Sequence, residues 1–224
     1  ADIEGDGAED IIAGNTGQNT QIQISEKEPA TLYYADFDNN GTMDPFLNFY
    51  IRGVNYPFVS RDELNEQISP MKRKFTSYKA YANATMKDIF SKEELAKASV
   101  YAATENRSVC FLNKKGSFEK RILPQQAQFS VVTNIIAEDF NKDGTTDLLL
   151  LGNRSDNRLK IGSIDANYGC VLINDGKGNF SYMPQYQSGI SIKGDVKSAL
   201  KLNISQKPVI AIGISNEKML FYGY

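Results

Sequence analysis

Three stretches of the chain carry oxygen-bearing side chains at a spacing suited to a hard cation. They read DIEGDGAED from Asp2, DFDNNGTMD from Asp36 and DFNKDGTTD from Asp139. In each, acidic or amide residues fill positions 1, 3, 5 and 9, and glycine fills position 6. The first set is Asp2, Glu4, Asp6, Gly7 and Asp10; the second is Asp36, Asp38, Asn40, Gly41 and Asp44; the third is Asp139, Asn141, Asp143, Gly144 and Asp147. Calcium takes about six to eight oxygens, and a tight loop aims alternate side chains inward. Glycine at position 6 permits a turn that a Cβ resists. The backbone carbonyl of position 7 (Ala8, Thr42 or Thr145) completes the expected ligand set. Without a cation, carboxylates this close repel one another and hold raised pKa values. The expectation is two or three structural Ca2+ ions.

An acidic β-turn is the metal-free alternative, because Asp, Asn and Gly favour turns on their own. Three copies, each running into an apolar segment, favour calcium. The loops begin like an EF-hand, but an EF-hand needs a bidentate acid at position 12, and Ala13, Leu47 and Leu150 stand there. The residues that follow position 9 (DIIAG, DPFLNF, DLLLLG) are apolar runs of strand length without a helical period. Each loop is therefore expected to join two strands.

The pattern DxDxDGxxD, then a hydrophobic strand, then a turn of the form NDGxGxF resembles the FG-GAP or VCBS-type repeat. Such repeats form blades of integrin-like β-propellers and of related bacterial and cartilage-acidic-protein-like propellers. Asn174-Asp175-Gly176-Lys177-Gly178-Asn179-Phe180 matches the second turn, and Asn113 to Phe118 (NKKGSF) is a shortened version. The resemblance covers nearly the whole chain outside residues 60–99. It implies calcium on one rim of a propeller and a place outside the cell or on its surface, of the bacterial secreted type.

Four units carry these motifs: Ala1 to about Glu28, Pro29 to Pro124, Gln125 to Pro184 and Gln185 to Tyr224. The second combines LYYADFDNNGTMDPFLNFYI with SVCFLNKKGSFEKRIL, and the third combines VVTNIIAEDFNKDGTTDLLLLGN with CVLINDGKGNFSYM. The fourth keeps strands in VIAIGI and MLFYGY, but LNISQKPV has lost the acids, so no ion is expected there. The fold class read from this is mainly β: a partial β-propeller of about three and a half blades of antiparallel four-stranded sheets, with a small α-helical insertion. Propellers close with about four to eight blades. The chain thus reads as part of a larger propeller, with open strand edges available for self-association.

The insertion, Ser60 to Ser99, is helical in pattern. Ser60 with Glu63 and Ser91 with Glu94 are capping boxes, and Ser69-Pro70 reads as N-cap and first helical residue. Lys72, Arg73, Lys74 and Lys79 lie among Phe75, Tyr78 and Tyr81. They form either a docking surface for an acidic or glycan partner or a solvated helix face whose aromatics turn inward; the second is favoured.

Bulk composition narrows the function classes. The 224 residues are 41% hydrophobic and 23% charged, as in an ordinary globular protein. A formal net charge of −2 gives no footprint for nucleic acid, and no apolar run reaches the ~20 residues of a membrane span. The chain has no histidine, which removes Ser-His-Asp and Cys-His catalysis. Cys110 and Cys170 precede similar sequences and read as small buried residues on corresponding strands, with a disulfide as the alternative. Asp156, Asp165 and Asp175 stand in turn-like surroundings rather than as a catalytic pair, Lys193-Gly194-Asp195 is a chance likeness to an integrin-recognition tripeptide, and sequons occur at Asn83, Asn106 and Asn153. The function expected is a non-catalytic, calcium-stabilised module binding a protein or glycan ligand. The alternatives are the propeller part of a polysaccharide lyase or hydrolase, or a scaffold within a larger assembly.

Overall fold

Each acidic loop hands the chain to a strand at or just after its ninth residue. The computed structural model describes residues 1–224. In chain order its strands are β1 (Ile11–Ala13), β2 (Ala30–Ala35), β3 (Asp44–Ile51), β4 (Val54–Pro57), β5 (Ser99–Ala103), β6 (Val109–Asn113) and β7 (Phe118–Ile122). There follow β8 (Val132–Glu138), β9 (Asp147–Gly152), β10 (Cys170–Asn174), β11 (Phe180–Met183), β12 (Val196–Ile204), β13 (Lys207–Ile214) and β14 (Leu220–Gly223). The helices are α1 (Arg61–Gln67), α2 (Met71–Lys74), α3 (Tyr78–Tyr81), α4 (Met86–Ile89), α5 (Lys92–Lys97) and α6 (Gln185–Ser188). The fold is mainly β, with four antiparallel sheets, none closed on itself. Two sheets have four strands and two have three, so the expectation of uniformly four-stranded sheets is corrected. No helix is long and apolar enough to cross a membrane.

The chain divides into two compact units. Unit 1 comprises Ala1–Thr20 and Asn106–Tyr224, and unit 2 comprises Gln21–Glu105. The chain leaves unit 1 after Thr20 and returns at Asn106, whose carbonyl accepts the Gly17 N–H at 2.8 Å.

Unit 1 holds three sheets with strand orders β1-β6-β7, β11-β10-β9-β8 and β12-β13-β14. Strand β9 (DLLLLG) is buried at every residue because its two faces serve two cores. Leu148 and Leu150 pack with Cys110, Leu112, Cys170 and Leu172. Leu149 and Leu151 pack with Val171, Ile210 and Ile212. The period of two sends alternate side chains to opposite faces, so burial on both sides gives an unbroken apolar run. Each of these leucines contributes about 1.5–3 kcal/mol by leaving water. Between β12 and β13 the chain turns through Ser205 and Gln206, both at positive φ, the backbone of a two-residue hairpin. That tight turn stands where the other repeats have an acidic loop.

The pairing corrects one grouping made from sequence. The segment SVCFLNKKGSFEKRIL does not share a sheet with the second acidic loop. Its strands β6 and β7 join β1, in the register Ile11↔Phe111, Ile12↔Cys110, Ala13↔Val109. The reason lies in unit 2, where both outer sides of the β2–β3 pair are already taken. Strand β4 pairs with β3 across the two-residue turn Arg52-Gly53, and β5 pairs with β2.

Unit 2 therefore owns a complete sheet, ordered β4-β3-β2-β5, together with helices α1 to α5. Leu64, Ile68, Phe75, Met86, Ile89 and Phe90 from the helical segment pack with Ala35, Phe37 and Phe46. Phe37 and Phe90 stack at 4.0 Å, and Phe46 meets both edge-on at 5.5 and 5.3 Å. The capping boxes at Ser60–Glu63 and Ser91–Glu94 form as expected, and a third forms at Thr85–Asp88. Ser69 and Pro70 do not start a helix as expected. Helix α2 begins at Met71, with Pro70 already in the helical region before it. The carbonyls of Ile68 and Ser69 accept the N–H groups of Met71 and Lys72, so the donors that a Ser69 cap would satisfy are already used.

Candidate metal sites

The three acidic loops share one backbone. Position 6 lies at φ 83°, 86° and 88° (Gly7, Gly41, Gly144), and position 4 is also left-handed, at Gly5, Asn39 and Lys142. A Cβ at any of the three position-6 glycines would meet nothing within 4 Å. Glycine is there for its conformation and not for space.

The side chains of positions 1 and 5 hold that backbone. Asp36 accepts the N–H of Asn40 (3.0 Å) on Oδ1 and of Gly41 (2.8 Å) on Oδ2. Asp139 repeats this with Asp143 (3.1 Å) and Gly144 (2.8 Å), and Asp2 with Gly5, Asp6 and Gly7. At position 5, Asp6, Asn40 and Asp143 accept the N–H of Ala8, Thr42 and Thr145 at position 7, at 2.9, 2.7 and 2.8 Å. The Thr145 hydroxyl also donates to Asp143. Position 3 varies. Asp38 accepts the Asn40 N–H and Asn141 accepts the Asp143 N–H, whereas Glu4 reaches out to an ion pair with Lys114.

Position 9 has a second, structural task. Asp10, Asp44 and Asp147 are 6%, 3% and 0% exposed. One oxygen of each accepts the N–H of position 2: Ile3 (2.7 Å), Phe37 (3.0 Å) and Phe140 (3.0 Å). In unit 1 the other oxygen accepts from the asparagine that ends the next strand, Asn113 for Asp10 (2.8 Å) and Asn174 for Asp147 (2.9 Å). In unit 2 the neighbouring strand β4 ends opposite Asn48, short of the loop, and the Gln67 amide on α1 donates to Asp44 Oδ1 at 2.9 Å instead. The ninth residue thus ties the start of its loop to the neighbouring element. Position 2 is the loop's apolar anchor: Ile3 and Phe37 are buried, and Phe140 packs on Tyr224. Positions 2 and 4 escaped the sequence reading. Their signal was the apolar second residue in all three copies, with Gly or Asn at the fourth in two.

The turn NDGKGNF completes the unit 1 arrangement. Asn174 Oδ1 accepts the N–H groups of Gly176 and Gly178, while its amide donates to the carbonyls of Thr146 (3.1 Å) and Ile3 (2.8 Å). A Cβ on Gly178 would fall 2.9 Å from the Leu112 side chain, so this glycine is required for both space and φ (+72°).

The second loop is the one whose carboxylates converge. Asp36, Asp38 and Asp44 present oxygens within 4.8 Å of one another, and no lysine or arginine pairs with any of them. Three hard oxygen donors without a basic partner could hold a divalent cation. The third loop has Asn141 where the second has Asp38, and its amide donates to Asp143 at 2.7 Å. In the first loop Glu4 is engaged by Lys114.

Titration follows the same contacts. Asp2 is held below the usual carboxylate range, first by the Gly7 N–H. Asp143 is also lowered, first by the Thr145 hydroxyl and then by the Asn141 amide. Asp147 is raised, because burial outweighs the N–H bonds from Asn174 and Phe140.

The remaining candidates fall into place individually. Cys110 and Cys170 lie on the equivalent strands β6 and β10, free and buried in one core. Burial pushes their thiols up to about 11 and about 12. Phe75 is buried and Tyr81 half-buried, packed edge-on at 5.2 Å, while Lys72 and Arg73 are exposed, so two of the three aromatics turn inward as favoured. Tyr78 is 68% exposed against Arg61. Asp195 of the tripeptide is 5% exposed and accepts from the Ser155 N–H and hydroxyl, so it is no recognition element. Asn106 and Asn153 are buried and cannot serve as glycan acceptors, whereas Asn83 is exposed. Asp156, Asp165 and Asp175 are all exposed, the first two flanking the Arg154–Ile164 bridge of one loop segment and the third in the NDGKGNF turn.

Comparison of the chain with protein-family models, curated proteins and solved structures returns no match. The likeness to FG-GAP repeats therefore rests on the sequence motifs alone.

Proposed function

We propose that the chain is a calcium-stabilised β-repeat module of the propeller type, working outside the cell or on its surface to bind a protein or glycan ligand without catalysis. The observation that carries this is the second loop, where Asp36, Asp38 and Asp44 converge with no basic partner. The shared backbone of the first and third loops extends the reading to two or three ions. Three sheets of unit 1 packed face to face through two cores support blade-like stacking. Each ion would neutralise clustered carboxylates and fix a loop between two strands, so its binding free energy becomes folding free energy. Sites of extracellular modules hold calcium with Kd of about 10⁻⁴–10⁻³ M, which fits an exported location. At free calcium 100 times Kd, each site adds about 2.7 kcal/mol.

Thermal unfolding with 10 mM calcium and with chelator, alongside metal counting on the purified chain, tests the reading. Two or three ions and a rise of several degrees are expected. Unchanged unfolding with no bound calcium would reduce the loops to acidic turns.

A further inference from the structure

Two aromatic rings of unit 1 stay open to solvent on backbone that is pinned from below. Phe129 and Tyr168 are 40% and 39% exposed, yet each sits between buried neighbours, Gln128 and Ser130 for the first, Asn167 and Gly169 for the second. One buried side chain ties both segments together. Asn153 Oδ1 accepts the Ser130 hydroxyl at 2.7 Å and the Asn167 N–H at 2.9 Å, and its amide donates to the Asn167 carbonyl at 2.6 Å. Gln128 is anchored separately: its Oε1 accepts the Ser108 N–H, and its amide donates to the carbonyls of Ser108 and Leu123. The Tyr168 carbonyl accepts the Ile192 N–H at 2.9 Å. Buried amides thus fix two exposed rings relative to one another, which is preorganisation of a contact surface.

Both rings line a concavity of about 270 Å³. Tyr182 adds a third aromatic, Gln126, Asn167 and Gln185 add carboxamides, and no charged residue lines it. Asn167 is spent on holding its loop, with Oδ1 on the Gly169 N–H and its amide on the Leu150 carbonyl. The Gln126 amide has no partner within the chain. Gln185 donates from Nε2 to the carbonyls of Tyr168 and Ile190, which leaves its Oε1 to accept. Other concavities differ in chemistry. One in unit 1 is lined by Glu138, Asp139, Lys142 and Lys201, and one in unit 2 carries Arg52 and a single carboxamide, Asn83.

We propose that the concavity beside Phe129 and Tyr168 binds one uncharged pyranose ring of a glycan. The proposal rests on the glycan arm of the function given above and assigns it a site. An aromatic face is negative and attracts the slightly positive C–H groups on the apolar face of a sugar. A carboxamide presents a donor and an acceptor side by side, which matches two adjacent hydroxyls. The volume lies below the ~300 Å³ at which pockets for drug-sized ligands begin, so it suits a single ring and not a peptide segment. The absence of lining charge selects a neutral sugar. The Lys193 ammonium lies outside the lining, 6.0 Å from the centre of the Tyr168 ring.

Saturation-transfer NMR on the full chain tests the proposal. The probes are the methyl glycosides of glucose, galactose, mannose and N-acetylglucosamine, with methyl glucuronoside and a proline-rich peptide beside them. Transfer to at least one neutral glycoside is expected. Phe129→Ala and Tyr168→Ala, both at exposed positions, should keep the circular dichroism of the parent and each weaken binding about tenfold. Tyr186→Ala, 83% exposed and outside the lining, should bind as the parent does. No transfer to any neutral glycoside, transfer confined to the glucuronoside or the peptide, or binding untouched by both ring variants would overturn the site. Calcium counting on the same sample separates the two readings. Bound calcium without neutral-sugar binding overturns the site and leaves the calcium module standing, whereas sugar binding on a chain that holds no calcium keeps the site and overturns the module.

Discussion

Asp147→Ala should weaken unit 1 even when no calcium is present. The wild-type carboxylate is fully buried and accepts two N–H groups, from Phe140 at 3.0 Å and Asn174 at 2.9 Å. Removing it strands both donors, and each unsatisfied buried donor costs about 1–3 kcal/mol. One gain offsets part of this. Burial raises the Asp147 pKa above the unfolded 3.8, so its contribution is fully present below pH 3.8 and is lost as pH rises through the folded value. At pH 7 the ionised group already carries that burial cost, which the variant relieves. The net loss is about 3 kcal/mol, or somewhat more than a hundredfold faster hydrogen exchange of β9 and β10 amides at about 1.4 kcal/mol per decade. Exchange measured by mass spectrometry in chelator reads unit 1 without interference from unit 2. Asp143→Ala is the control: it lies on the exposed rim of the same loop and should leave exchange in chelator nearly unchanged while abolishing the calcium-dependent protection of that loop. Equal exchange rates for the two variants in chelator would refute the structural task assigned to the ninth residue.

Two further outcomes follow from single contacts. Gly41→Ala meets no neighbour and should cost only the strain of a left-handed alanine, about 1–3 kcal/mol, whereas Gly178→Ala must also displace Leu112 and should lower the unfolding midpoint further; urea titrations followed by circular dichroism compare them. Cys110 and Cys170, 0% and 6% exposed with thiols raised to about 11 and about 12, should resist a thiol reagent at pH 8 in the native state and both react after denaturation.

What the sequence made legible was local. An acid pattern with glycine at position 6, an apolar run behind it and the NDGKGNF turn each encode a short backbone path, and the loops and strands stand where those signals place them. The capping boxes at Ser60 and Ser91 were readable for the same reason. Partner choice was not. Cys110 pairs opposite Ile12, and no periodicity within either strand records the other's identity. The role of Gln67 was equally hidden, because it stands in for a strand's N–H only through the tertiary placement of α1. Ser69-Pro70 misled because a local capping signal lost to carbonyls that the preceding turn supplies.

The excursion of the chain between β1 and β6 bears on the order in which the protein acquires its structure. Asp10 meets Asn113 across a sequence separation of 103 residues, a closure that would be slow for an unstructured chain. Unit 2 shortens it. Once Ala30 has paired with Ala103, only the connecting arms on either side remain to be ordered, roughly thirty residues, which lowers the closure cost by about 1 kcal/mol on the logarithmic dependence on loop length. A substitution confined to unit 2, such as one that opens the Phe37–Phe46–Phe90 cluster, should therefore delay the docking of β6 and β7 onto β1 without altering a single contact between them.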